Sequence, residues 1–165
     1  MTSPHSPPRE VRPPEPHASS RGTSGGVRGL TGWWGVVLEA PDPHALAQFY
    51  SALLGWPIAD PDSDSGTEAE SESESESGTV TLNRPGETWY LAVQRAAVYT
   101  APTWPPAEGE QGMQSHLDIE VTDLPAALSD AVALGATIAE VQPQEDVCVL
   151  LDPVGHPFCL YRAHG

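Results

Sequence analysis

The chain predicts an α+β fold built from two βαβββ modules, and three observations carry that prediction. The stretch GVVLEAPDPHALAQFYSALLG (35–55) returns as HLDIEVTDLPAALSDAVALG (116–135), which sets Asp42 and Asp123 81 positions apart. Each copy begins with side chains that change character at period two, as on a strand, and continues with apolar residues at helical spacing. Each is then followed by short apolar runs sufficient for three more strands. Self-similarity on this scale means one supersecondary unit used twice, and a ligand belongs where the two units meet.

The elements follow in chain order. In the first strand Val36, Leu38 and Ala40 share one face, while Gly35, Val37 and Glu39 share the other. A helix covers the apolar face, because Ala45, Leu46, Phe49, Tyr50, Leu53 and Leu54 recur on one side of it. Asp42, set between Pro41 and Pro43, caps the helix start by accepting a free amide hydrogen of the first turn, and proline there sacrifices no bond. Gly55 ends the helix, since glycine enters the left-handed region without a side-chain penalty. Strands are expected at 56–59, 79–83 and 89–95. The second unit repeats the plan: Leu117, Ile119 and Val121 face its helix, whereas His116, Asp118 and Glu120 face away. Asp123 caps a helix whose apolar side is Leu124, Ala127, Leu128, Ala131 and Val132, and Gly135 stops it. Further strands are expected at 137–141, 146–151 and 157–161.

Composition bounds the rest. The length, 165 residues, suits one domain over 31–163 with a core of ordinary size. Residues 1–30 hold four of the seven arginines among Pro, Ser and Gly, with little apolar periodicity, and are expected to form a disordered tail. Residues 60–78 carry eight of the 23 acidic groups in a low-complexity run, read as a solvated loop insert. The remaining core holds 13 acids against Arg84, Arg95 and Arg162. That field repels nucleic acid and modestly favours a cationic ligand. No stretch reaches the roughly 20 apolar residues of a membrane span, and no secretion signal is recognised, so a cytoplasmic protein is expected.

The doubled strand-Asp-helix unit, the helix end from Phe49 to Gly55, and the closing Leu151-Asp-Pro-Val-Gly-His-Pro-Phe158 turn resemble the vicinal oxygen chelate superfamily. That superfamily includes glyoxalase I, extradiol dioxygenases, fosfomycin-resistance enzymes and bleomycin-resistance proteins. The resemblance spans about Gly32 to Arg162 and looks closest to an uncharacterised glyoxalase-like branch, whose members share a loop like Pro102-Thr-Trp-Pro105 and a closing Gly-His-Pro-Phe-Cys. It implies two cupped mixed sheets around a cavity, helices on the outer faces, and metal ligands, when present, on the first and last strands of each unit. Homodimers are common among such relatives.

Carried over one position at a time, the implied ligands largely vanish. The first-strand position falls on Gly35, and its fourth-strand partner falls near Ala92, or on Tyr90 in an ungapped alignment; Gln94 shares that face. The second unit offers His116, but the closing-strand Glu of active relatives is Cys159 here. Glyoxalase-type isomerisation needs a carboxylate to carry a proton beside a polarising metal, and that carboxylate is missing from both fourth strands. Extradiol cleavage needs two His and one carboxylate on iron, and only His116 stands in place.

The residues themselves leave several readings open. Pairing Leu151 with His156 across the closing turn would pair Cys148 with Cys159 and turn both thiols toward the cavity, with Val147, Val149 and Leu151 toward the helix. If the last strand neighbours the first strand of its unit, as the resemblance implies, His116, Cys159 and Cys148 form a row able to hold zinc or to act in redox chemistry, as against two reduced cysteines in a packed sheet. His116 serves as a ligand or as a hydrogen-bonding cavity residue, and Asp118 as its basic partner or in a salt bridge. His156 is read as a loop contact. Residues 99–106, centred on Trp104, connect the units across the cavity mouth, and Tyr90 and Tyr161 add aromatic walls or core packing.

The expected function is a small-molecule binder of the glyoxalase/bleomycin-resistance type, without a standard metal centre, its cavity lined by Gln94, His116, Asp118, Cys159, Tyr90, Trp104 and Tyr161. The alternative is a metal-dependent lyase, isomerase or dioxygenase with a divalent ion at His116 and Cys159, and with His116 and Asp118 as catalytic groups. A third reading assigns the role to the acidic insert and the tail as interaction segments.

Overall fold

A computed structural model describes residues 30–59 and 78–162; the N-terminal tail and the acidic insert lie outside the described residues. The first module runs β1 (Trp34–Ala40), α1 (Pro43–Leu54), β2 (Thr79–Asn83) and β3 (Trp89–Arg95). The second runs β4 (Leu117–Glu120), α2 (Leu124–Ala133), β5 (Thr137–Ile138), β6 (Val147–Leu151) and β7 (Pro157–Tyr161). Each module makes its own mixed sheet, ordered β1-β3-β2 in the first and β4-β7-β6-β5 in the second. In both, the opening strand lies parallel to the closing one, because the helix between them carries the chain back across the sheet.

The helix caps are the same device twice. Asp42 and Asp123 sit in extended backbone and accept the amides of Ala45 and Ala126, each at 3.1 Å. Such a cap contributes about 1 kcal/mol. The C-terminal ends differ: Gly55 is itself the left-handed cap, whereas α2 is capped by Leu134 in right-handed geometry and Gly135 turns one residue later. On α1 the buried face is Pro43, Leu46, Ala47, Phe49 and Tyr50; Ala45 is exposed, and Ala47 takes its expected place. On α2 only Ala131 is fully buried, and Val132 faces outward.

One hydrophobic core spans both modules. Leu46, Phe49 and Tyr50 of α1 meet Val80, Leu82, Leu91 and Val93 of the first sheet and Leu150, Phe158 and Leu160 of the second. Phe158 stands edge-on to both Phe49 and Tyr50, with centroids 6.1 and 6.3 Å away. Full burial of one such side chain stabilises by roughly 1.5–3 kcal/mol, so this aromatic group is a principal tie between the modules.

Two expected strands are much shorter than the sequence suggests. Residues 56–59 contribute only a single bridge from Ile58 to Leu82 and one bond from Ala59 N to the Thr81 carbonyl. The reason is local: the Ser51 hydroxyl takes the Trp56 carbonyl at 2.6 Å, and Pro57 has no amide hydrogen to give. Residues 137–141 shrink to β5 because the Gln142 side chain replaces the ladder. Its amide nitrogen donates to the carbonyls of Ala139 and Val149, and its oxygen accepts the Val149 amide at 2.8 Å.

The closing turn decides which way β6 faces. Leu151 pairs with Pro157, and Asp152 N donates to the His156 carbonyl, so three residues rather than four form the loop. Gly155, at φ 98°, supplies the left-handed step that closes a three-residue hairpin. This one-residue change of register reverses the expected faces of β6. Cys148 pairs with Leu160 and packs on the core side, while Val147 and Val149 turn to the cavity with Cys159. The expected row of two thiols is therefore corrected to one. Among the described residues no helix is long and apolar enough to cross a membrane.

Candidate functional site

The cavity face of the second sheet is assembled by strand pairing. His116, just before β4, and Asp118 on it are two residues apart and so share a face. Asp118 is the direct partner of Cys159 on β7, and Cys159 is in turn the partner of Val149 on β6. The next rung is Glu120, Tyr161 and Val147. All of these side chains except Glu120 floor a cavity of about 370 Å³, walled also by Trp104, Met113, Pro143, Gln144 and Pro157. Its volume lies toward the small end of the range usual for small-molecule sites, roughly 300–1,000 Å³. The indole of Trp104 is pinned by its Nε1–H, which donates to the Val141 carbonyl at 3.0 Å, so the connecting segment forms a fixed wall.

Three polar groups converge on the floor. His116 Nε2 lies 3.3 Å from Asp118 Oδ1, with both side chains open to solvent at 39% and 59% exposure. One ligand-type atom each from His116, Asp118 and Cys159 can be chosen so that all lie within 4.8 Å of one another. Cys159 is only 8% exposed. Burial first, and then the neighbouring Asp118 carboxylate, push its thiol up to about 11, so near neutral pH it is a protonated thiol rather than a thiolate nucleophile. A redox role for paired thiols is overturned by the same geometry, since Cys148 lies on the other face.

The first module lacks this constellation. Superposition of the two βαβββ units by their registers places Gly35, Val37 and Ala92 where the second module has His116, Asp118 and Cys159. None of the three is a ligand. A Cβ placed on Gly35 would run into the ring of Tyr90, which covers that position. Gln94 faces Glu39, its partner on β1, and donates to that carboxylate at 3.0 Å. Tyr90 and Gln94 thus belong to the first sheet and do not line the 370 Å³ cavity, whereas His116, Asp118, Cys159, Trp104 and Tyr161 do.

The donor set of the second module fits a metal ion by spacing. Ligand atoms about 2.0–2.3 Å from one tetrahedral ion stand about 3.3–3.8 Å apart, so these three atoms, within 4.8 Å of one another, would close by up to about 1.5 Å around an ion. His116, Asp118 and Cys159 would hold such an ion, which would supply a Lewis acid at the cavity floor.

A second cluster was not legible from residue types alone. Asp152, only 4% exposed, accepts at Oδ1 from the amides of Val154 and His156, and at Oδ2 from the Tyr50 hydroxyl at 3.0 Å and from His156 Nδ1 at 2.7 Å. His156 Nε2 in turn meets the Tyr99 hydroxyl at 3.1 Å, and that hydroxyl also donates to the Val154 carbonyl. This network ties α1, the connecting segment and the closing turn to one buried carboxylate. Burial, followed by the charge of Asp152, pushes Tyr99 up to about 12, and the same two causes in the same order raise Tyr50 well above the usual range. A further cavity of about 430 Å³ borders this network, between β1 and residues 114–117, and shares His116 and Pro157 with the first. The signal that could have exposed the network was an Asp flanked by apolar strands, which folds only if its oxygens are satisfied.

A family model described as a glyoxalase-like domain matches residues 35–161. The fold is similar to that of a glyoxalase/bleomycin resistance protein/dioxygenase family enzyme from Burkholderia phytofirmans PsJN, at 15% identity and a TM-score of 0.55 over 79% of this chain and 97% of that one. It is also similar to the fosfomycin resistance protein FosX of Mesorhizobium loti, at 12% identity and a TM-score of 0.56 over 84% of this chain and 94% of that one. A FosX mutant of Listeria monocytogenes, complexed with Mn(II) and a dihydroxypropylphosphonic acid, aligns at 13% identity and a TM-score of 0.57 over 82% and 94%. No curated protein matches.

Proposed function

The chain belongs to the glyoxalase-like domain family, and from that premise we propose that it binds a small molecule in the cavity of its second module. The observation that carries this reading is the convergence of His116, Asp118 and Cys159 on the floor of a cavity whose other walls are largely apolar. Such a site suits a compact, mostly apolar or aromatic molecule with one polar end, and the Asp118 carboxylate favours a cationic end. The absence of a donor at Gly35, Val37 and Ala92 supports a centre unlike the one the superfamily resemblance implies, with both candidate catalytic groups, His116 and Asp118, two residues apart on one face. The reading places the protein in the cytoplasm, in keeping with two free cysteines, and allows two copies to pair through their sheets.

The test is a thermal-shift and fluorescence screen with small aromatic amines. Binding should quench Trp104 emission and weaken at least about tenfold in Trp104→Phe or Tyr161→Ala, a loss of about 1.4 kcal/mol or more. Binding that ignores both substitutions, or none across the panel, would overturn the assignment to this cavity. A second reading, a metal-dependent lyase, isomerase or dioxygenase centred on His116, is favoured by the spacing of the three donors. Turnover that requires added metal and disappears with His116→Ala would decide for it.

A further inference from the structure

We propose that the slot between the two modules binds an extended, basic peptide segment, which adds as a strand to the open edge of β1 and to the facing segment that leads into β4.

Strand order leaves both edges open. β1 ends the first sheet and β4 ends the second, and among the described residues no ladder joins the two strands. The Trp34 amide donates to the Thr88 carbonyl and the Ala40 carbonyl accepts from Ala96, so residues 34, 36, 38 and 40 direct their main-chain groups at β3. Gly35, Val37 and Glu39 therefore turn theirs away from the sheet. The same parity holds in the second module: the Val121 amide donates to the Tyr161 carbonyl, which leaves His116 and Asp118 with outward main-chain groups.

The 430 Å³ cavity runs along these edges rather than over one face. Consecutive residues 36–39 of β1 line one side, and consecutive residues 114–117 line the other. Successive side chains of a strand point to opposite faces, so a wall of consecutive residues is a backbone edge. At about 3.3 Å per residue, each wall is about 13 Å long, which matches about four residues of extended chain. Edges are usually defended by lysine, proline or a bulge. β1, Trp-Gly-Val-Val-Leu-Glu-Ala, has neither lysine nor proline, pairs with β3 residue for residue along its whole length, and leaves Val37 47% exposed.

The walls select the chain that fits. Side chains of an added strand alternate in direction. On one side they meet Val36, Leu38 and Tyr50, an apolar and aromatic surface; on the other they meet the Glu39 carboxylate, on a protein of formal net charge -16. Alternating apolar and basic residues complement both. His116 and Pro157 wall this slot and the second-module cavity alike, but the edge of β1 belongs to the slot and takes no part in that cavity.

The test titrates the full chain into a fluorescent pentapeptide of alternating valine and lysine and reads anisotropy. Binding should weaken about tenfold or more when alternate peptide nitrogens are methylated, since methylation removes edge hydrogen bonds and keeps the side chains. Val37→Pro should cost as much, because it deletes an outward amide hydrogen that the β1–β3 ladder does not use, and Val37→Thr should bind like wild type. Glu39→Gln should weaken binding by about threefold. In the wild-type chain, hydrogen exchange at Val37 and Glu39 should slow by about tenfold or more on peptide addition, while Leu38 is slow in both states. No binding, binding that ignores N-methylation, or unchanged exchange at Val37 and Glu39 would each overturn the proposal, and none of these needs a variant to fold. Protection of those amides that grows with protein concentration in the absence of peptide would assign the slot to a second copy and overturn it as well.

Discussion

Replacing Tyr50 by phenylalanine removes one hydroxyl from the junction of the two modules and leaves the aromatic packing on Phe49 and Phe158 in place. That hydroxyl donates to the buried Asp152 carboxylate at 3.0 Å, while three other donors, two backbone amides and His156 Nδ1, remain. A hydrogen bond to a charged acceptor contributes about 1.5–3 kcal/mol, and the three surviving donors place this one at the lower end, near 1.5–2. At roughly 2–4 °C per kcal/mol, the melting temperature should fall by about 3–8 °C. The pH dependence has a definite sign. The raised Tyr50 group keeps its proton to higher pH in the folded than in the unfolded chain, so its contribution is complete below the unfolded tyrosine range, near pH ~10, and is lost as pH climbs above that. Tyr99, held at about 12, is present in both proteins and largely cancels in the difference. Urea unfolding of wild type and Tyr50→Phe, at about pH 8 and about pH 11, should show the gap between them narrowing at the higher value. A difference under about 0.5 kcal/mol at the lower pH, or a gap that widens in alkali, would refute the assignment of Tyr50 to the carboxylate.

Further outcomes follow from the same coordinates. Asp42→Ala and Asp123→Ala should each cost about 1 kcal/mol by denaturant titration, since each removes one cap of equal geometry. Gly155→Ala combines a left-handed backbone with a new methyl 2.8 Å from the Ala101 Cβ, and should destabilise by about 1–3 kcal/mol. Adding Ala101→Gly should recover the steric part only. Gln142→Ala removes three hydrogen bonds and should speed hydrogen exchange at the Val149 amide while leaving the Leu150 amide, on the β6–β7 ladder, protected.

The bounds of β2, β3 and β7, both Asp caps and the placement of His116 and Asp118 on one face were legible because each depends on neighbours a few residues away. Period two and the shape of a helix end are local properties, so the residues 79–83, 89–95 and 157–161 announce themselves. The shortened strands were not legible in the same way, because a side-chain amide at Gln142 and a hydroxyl at Ser51 took the places of ladder partners. Cys148 was assigned the wrong face for a related reason: loop lengths of three and four both fit the spacing between Leu151 and Pro157, and they differ by one residue of register.

By itself, then, the order of amino acids determined a twice-used βαβββ unit, since this follows from periodicity and residue type. Tertiary structure alone decided that Asp118 and Cys159 are direct partners on adjoining strands, that Tyr90 and Gln94 stand outside the 370 Å³ cavity, and that the buried Asp152 carboxylate meets the Tyr50 hydroxyl of α1. Each of those is a contact between residues distant in the chain, and only the sheet order and the register of its strands fix which distant residues meet.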